Sequence, residues 1–155
     1  MKLFGFIEIS ISEIISWVKS IFKRQNKYNK TNTHILFVDD QIGDFSVIEN
    51  LKEAGWSIEG ITDIRNVDDD VVKRSQIIFI DYKGVGRTLS QSEQGIGLIR
   101  LLKKTYGKNK RIILYSAHDR FSLGDKLDVA DDQLSKNSDT REFIDKINEN
   151  MALLK

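Results

Sequence analysis

Four consecutive apolar residues, Ile77-Ile78-Phe79-Ile80, end abruptly on one carboxylate, Asp81. Three of the four are β-branched, and the run has no polar alternation. Such a stretch reads as a strand buried on both faces, which belongs in a parallel sheet covered by helices on each side. Two further runs share the form: His34 to Val38 (HILFV) passes into Asp39-Asp40, and Arg111 to Tyr115 (RIILY) passes into Ser116. Open α/β sheets place their chemistry at the carboxyl ends of their strands. If the three strands are parallel, three carboxylates and a hydroxyl converge on one edge. That donor set suits a hard divalent cation and phosphoryl chemistry.

The segments between these strands supply helices. Asp44 to Ala54 predicts a first helix, with Phe45, Ile48 and Leu51 on its inner face and Gly55 to close it. A short strand follows over Trp56 to Ile61, then a brief helix over Asp68 to Arg74. Ser92 to Lys104 predicts the next helix, with Gly95 and Gly97 in its first turns, where glycine costs least. A poorly marked helix is expected around Phe121 to Val129 and a fifth strand, the weakest by composition, over Asp132 to Leu134. Asp139 followed three residues later by Glu142 makes a capping box, with Phe143, Ile147 and Met151 behind it. Five β-α units predict an α/β fold, a doubly wound five-stranded parallel sheet of the flavodoxin-like order.

Four motifs, in order, resemble the receiver domain of two-component response regulators (the CheY-like superfamily). They are ILFVDDQ (Ile35 to Gln41), IIFID ending at Asp81, IILYSAH (Ile112 to His118) and ADDQLSK (Ala130 to Lys136). The likeness spans about Thr33 to Leu154 and divides the chain into an arm (1–24), a polar linker (25–32) and a receiver domain (33–155). The resemblance implies a phosphoaccepting Asp81, with Asp39, Asp40, Asp81 and the backbone carbonyl of Lys83 around a Mg²⁺. It implies that Lys136 and Ser116 contact the phosphoryl group. The implied donor is a sensor histidine kinase or phosphotransfer protein, and the implied role is a phosphoacceptor that modifies itself with Mg²⁺ rather than a turnover enzyme. At this length no DNA-binding or catalytic output domain is expected, so output is expected through contact with an unknown downstream protein, relay of the phosphoryl group or altered docking of the arm. A phosphorylation-independent scaffold built on the same fold is the alternative.

Three positions depart from the family pattern. Gln133 stands three residues before Lys136, where an aromatic side chain is usual. Asn137 follows Lys136 where a cis-proline bond is usual; a cis bond before another residue costs ~3 kcal/mol, which favours trans here. The stretch from Lys83 to Gln94 (KGVGRTLSQSEQ) makes the connection after Asp81 about twice the usual length. It is expected to extend over the site, where it would shield an acyl phosphate or select a kinase.

Charge divides the chain as the motifs do. Residues 1–30 carry six Lys or Arg against two Glu, while residues 31–155 carry 18 basic against 21 acidic residues. The net charge of +1 gives no global case for nucleic acid. Absence of cysteine excludes disulfides and thiolate metal sites and fits a cytoplasmic setting. No run of about 18 apolar residues is present, so no simple membrane-spanning helix is expected. In the arm, Leu3, Phe4, Ile7, Ile11, Ile14, Ile15, Val18, Ile21 and Phe22 form an apolar stripe at helical spacing, although the first dozen residues also alternate as a strand would. The stripe has three readings: contact with an anionic membrane surface at the inner membrane, homodimerisation through residues 3–22, or packing on its own domain. His34 and His118 read as bystanders, and Asp68-Asp69-Asp70 as a solvated helix start.

Overall fold

The computed structural model describes residues 10–23, 27–117 and 128–155. Five strands form one parallel sheet: β1 His34–Val38, β2 Ser57–Ile61, β3 Ile77–Asp81, β4 Arg111–Ser116 and β5 Asp132–Ser135. The helices among the described residues are α1 Ile11–Lys23, α2 Val47–Glu53, α3 Asp70–Arg74, α4 Gln94–Tyr106 and α5 Thr140–Ala152. Spatial order is β2-β1-β3-β4-β5, so the chain reverses direction across the sheet between β1 and β3. That reversal opens a crevice at the carboxyl ends of these two strands, which pair from Ile35↔Ile77 to Val38↔Ile80. The doubly wound flavodoxin-like fold is therefore present. The helix expected around Phe121 to Val129 falls largely on 118–127, outside the described residues.

Period-two alternation splits the central strands between two cores. Leu36, Val38, Ile78, Ile80, Ile112 and Leu114 pack with Val72, Leu98, Ile99 and Leu102 of α3 and α4. Ile35, Phe37, Ile77, Phe79, Ile113 and Tyr115 pack with Ile48, Leu51, Phe143 and Ile147 of α2 and α5. The register places Phe37 beside Phe79, and their rings stack at 4.5 Å. Tyr115 meets both edge-on, at 5.6 and 6.0 Å. Asp39, Asp81 and Tyr115 continue this aromatic face toward the crevice.

Two helices begin later than the sequence pattern suggests. Residues Ile42–Asp44 form a separate 3₁₀ turn, and Phe45, at φ −95° and ψ 86°, interrupts the helix before α2 starts. The start of α4 is set by Gln94, whose φ of 48° turns the chain into the helix. The capping box at α5 forms as expected, with both the Asp139 and Glu142 hydrogen bonds present.

The polar segment ahead of β1 is docked at the other end of the sheet. Lys30 donates to the carbonyl of Ala54, at the end of α2, and sits 5.3 Å from the centre of the Trp56 ring. Asn29 and Asn32 close a turn beside it, with the Asn29 N–H donating to Asn32 Oδ1 at 2.7 Å.

The composition of β5 (DQLS) argues against a strand, and side-chain charges explain why it forms. The Asp131 carboxylate accepts the Ile112 N–H at 2.8 Å and pairs with Lys103 and with Arg111 at 3.4 Å. Asp132 accepts from Asn150 Nδ2 at 2.8 Å and pairs with Lys146 at 3.3 Å, and Asn150 accepts from Arg111 Nε at 3.0 Å. Breaking a shielded pair strands its partners, so Asp131→Ala should lose about 2–4 kcal/mol in urea unfolding. Glu49→Ala, removing an exposed pair with Lys52, should stay within about 0.5 kcal/mol. Equal, small losses in both variants would refute this account of β5.

Candidate functional site

At the ends of β1 and β3, one carboxylate oxygen from each of Asp39, Asp40 and Asp81 lies within 4.8 Å of the other two. Asp39 and Asp81 are buried and Asp40 is exposed. Close-packed oxygen ligands with one solvent-facing member can hold a hard divalent cation such as Mg²⁺, which keeps waters in its shell. The loop after β5 brings in the counter-charge. Lys136 Nζ lies 2.7 Å from Asp81 Oδ2 and 2.7 Å from Asp39 Oδ2. Its own N–H donates to the Ser116 carbonyl at 2.9 Å, which ties this loop to the end of β4. Ser116 is itself buried there. Among the described residues no peptide bond is cis, so Lys136 reaches the site through a trans link to Asn137.

The electrostatics separate the two buried acids. Burial pushes Asp39 up, but hydrogen bonds from Lys136, the Gln41 N–H and Tyr115 outweigh it and hold its pKa below the ordinary carboxylate value. For Asp81 burial prevails over the Lys136 bond and charge, and the charge of Asp39 adds to it, so its pKa is raised. The same two carboxylates, against the effect of burial, raise the pKa of Lys136. The ammonium is therefore a fixed cation here.

Lys83, exposed, begins the long connection, and its neighbour Gly84 touches the site. A Cβ on Gly84, at φ +84°, would fall 2.2 Å from Asp40 Cγ, so only glycine lets the loop lie this close. A Cβ on Gly95 would fall 2.0 Å from the Asp81 carbonyl, so the first turn of α4 rests directly on the end of β3. The loop is tied down elsewhere as well. The Gly86 N–H donates to Asp63 Oδ1 at 2.6 Å, and the Gly84 N–H donates to Gln94 Oε1 at 3.0 Å. Arg87 reaches back to 3.9 Å from Asp40. The loop thus lies against the Asp40 side of the site.

Arg87 and Tyr115 are neighbours of the acids that the sequence pattern does not mark. Arg87 sits in a polar loop without periodicity. Tyr115 completes an apolar strand run, and only its register opposite Asp81 hints at more. His34, by contrast, bonds Ser57 at the far end of β1, 2.8 Å away, and takes no part in the site. His118 lies outside the described residues.

No protein-family model matches the chain, and no curated protein matches it. Solved structures do match. A receiver domain protein from Methanospirillum hungatei is 19% identical over 77% of this chain and 93% of its own, with a TM-score of 0.58. The Thermotoga maritima response regulator TrrA, in complex with Mg²⁺-BeF, is 21% identical over 76% of this chain and 98% of its own, also at 0.58. The BeF₃-activated N-terminal receiver domain of Klebsiella pneumoniae RstA is 17% identical over 77% and 98%, at 0.62. At these identities the likeness is one of fold. The chain has the fold of response-regulator receiver domains.

The raised pKa of Asp81 has a consequence for stability. A carboxyl whose folded pKa is raised contributes stability below its unfolded pKa near 3.8, and that contribution is lost as pH rises through the folded value. Without divalent cations, Asp81→Asn should therefore melt above the wild type at pH 7, with the advantage shrinking as pH falls toward 4. Mg²⁺ at about a hundred times its Kd should stabilise the wild type by about 2.7 kcal/mol. Thermal melts in EDTA and in Mg²⁺ read both effects. A wild type indifferent to Mg²⁺ would contradict the cation assignment.

Proposed function

We propose that this chain is a phosphoacceptor receiver in a phosphorelay. Asp81 takes a phosphoryl group from a sensor histidine kinase or phosphotransfer protein, and the modified domain signals through protein–protein contacts. The observation that carries the reading is the buried Asp81, with the Lys136 ammonium 2.7 Å away and Asp39 and Asp40 beside it. A carboxylate oxygen of Asp81 attacks phosphorus as the phosphorus–nitrogen bond of the donor phosphohistidine breaks. The bonding electrons leave with the imidazole, and the product is an acyl phosphate. Lys136, 2.7 Å from both buried acids, is assigned the role of following charge onto the phosphoryl oxygens, and the Ser116 hydroxyl is assigned a donor bond to one of them. Asp39, Asp40, Asp81 and the carbonyl of Lys83 are the assigned ligands of a Mg²⁺ that, when bound, offsets the phosphoryl charge. The Mg²⁺-BeF complex of TrrA supports this assignment by analogy of fold. The chain is not a turnover enzyme in this reading.

Residues 1–24 are proposed as a separate docking arm, joined through 25–32 to the receiver domain, 33–155. In α1, Ile11 is 76% exposed and Trp17 64% exposed, with Ile14 and Ile15 half-exposed beside them. An apolar stripe of this kind on a basic segment fits the surface of an anionic membrane, placing the domain peripherally at its cytoplasmic face. No helix among the described residues is long and apolar enough to cross a membrane.

Incubation with acetyl phosphate and Mg²⁺ should add ~80 Da, one phosphoryl group, to the intact mass of the wild type and nothing to Asp81→Asn. Mg²⁺ binding without any adduct, from acetyl phosphate or from a phosphotransfer protein, would leave the phosphorylation-independent scaffold in its place. In vesicle flotation, the full chain should float with mixed phosphatidylcholine–phosphatidylglycerol vesicles and stay behind with phosphatidylcholine alone. A concentration-dependent dimer that ignores both vesicles would replace the lipid reading with self-association.

A further inference from the structure

Tyr115 is the largest fully buried side chain of the core, and it is a phenol among hydrocarbons. Its register partner on β3 is Asp81, so its side chain shares the face on which Asp39 and Asp81 stand. Phe37 and Phe79 meet its ring at 90° and 88°, and Phe45 lies 5.7 Å away. These contacts hold the ring in one orientation, and the hydroxyl lands on Asp39 Oδ2 at 2.9 Å. The ring also lies beneath Lys136, with Nζ 5.2 Å from its centre, a distance at which a cation is attracted to the aromatic face.

Asp39 is the acid most dependent on such support. Its Oδ1 accepts the Gln41 N–H at 2.9 Å, while its Oδ2 accepts both Tyr115 and Lys136. An ionised carboxylate offers about four acceptor directions, and three are used here by partners on three different segments. That leaves the group no freedom to turn and about one acceptor direction for a cation. Lys136 is held by both Asp39 and the Tyr115 ring, so its position between the two acids depends on the same phenol. A valine or isoleucine would fill much of this space at the end of β4, but only a hydroxyl reaches the acid.

We propose that Tyr115 is a positioning residue of the acidic site: its hydroxyl orients the Asp39 carboxylate toward a divalent cation, and its ring seats the Lys136 ammonium between Asp39 and Asp81. The inference rests on the acidic cluster being a cation and phosphoryl site. Groups that orient a ligand from behind typically govern metal affinity by 10–100-fold.

Calorimetric Mg²⁺ titration of the wild type and Tyr115→Phe tests this, with circular dichroism to show that both are folded. Tyr115→Phe keeps the ring and removes the hydroxyl, and should raise the Mg²⁺ Kd about tenfold or more. A second measurement does not depend on that variant folding. In protein labelled at tyrosine ¹³Cζ, four resonances are expected, and that of Tyr115 should move on Mg²⁺ addition with the calorimetric Kd. A wild type that binds no Mg²⁺ would remove the reading of the site itself, and the proposal with it. A wild type that binds Mg²⁺ while Tyr115→Phe binds equally well, or while the Tyr115 resonance stays still, would overturn the proposal alone and leave the phenol as core packing.

Discussion

The ammonium of Lys136, held at 2.7 Å from two buried carboxylates, is the contact on which the rest of the arrangement depends. Asp39, Asp40 and Asp81 sit too close together to be ionised without compensation, and two of them have lost most of their water. One cation does not balance three acids. Arg87, 3.9 Å from Asp40, answers part of the remainder at the exposed edge, and a divalent ion can offset the rest. The sheet order serves this arrangement. Because β1 and β3 are neighbours at the chain reversal, acids 42 residues apart in sequence meet across one crevice. Because β5 closes the far edge beside β4, the loop that follows it can deliver Lys136 from the other side.

The delivery of Lys136 needs a strand with little intrinsic reason to exist. β5 holds because Asp131 and Asp132, at its start, are gripped by cations and amides from α4, β4 and α5. Those bonds are made in low dielectric, where losing one partner is costly. The edge strand is therefore fixed near its beginning, while the loop beyond its end carries Lys136. Gln133 stands on β5 between these ties and Lys136. The long connection after β3 touches Asp40 through Gly84 and Arg87.

Strand runs that are apolar on both faces left little choice of fold, and β1, β3 and β4 were readable because their burial is nearly complete. Asp39, Asp40, Asp81 and Ser116 were readable because each follows or ends such a run, whereas Lys136, after the polar DQLS, was marked only by the resemblance of ADDQLSK to the receiver motif. The sequence was silent where position depends on backbone turns or on contacts between segments. The start of α4 depends on one residue at positive φ, Gln94, and the course of the long loop depends on the close approaches that Gly84 and Gly95 allow. Tyr115 was hidden for another reason: an aromatic at the end of an apolar strand is ordinary, and only the register with Asp81 brings its hydroxyl to Asp39.

Lys30, seated on the end of α2 and over Trp56, fixes where the chain enters the domain. That seat lies at the amino ends of the strands, and the acids lie at the carboxyl ends, about 16 Å away along a five-residue strand. The point where the basic tether enters and the acidic crevice therefore lie at opposite ends of the sheet, and the two can be engaged at the same time without crowding each other.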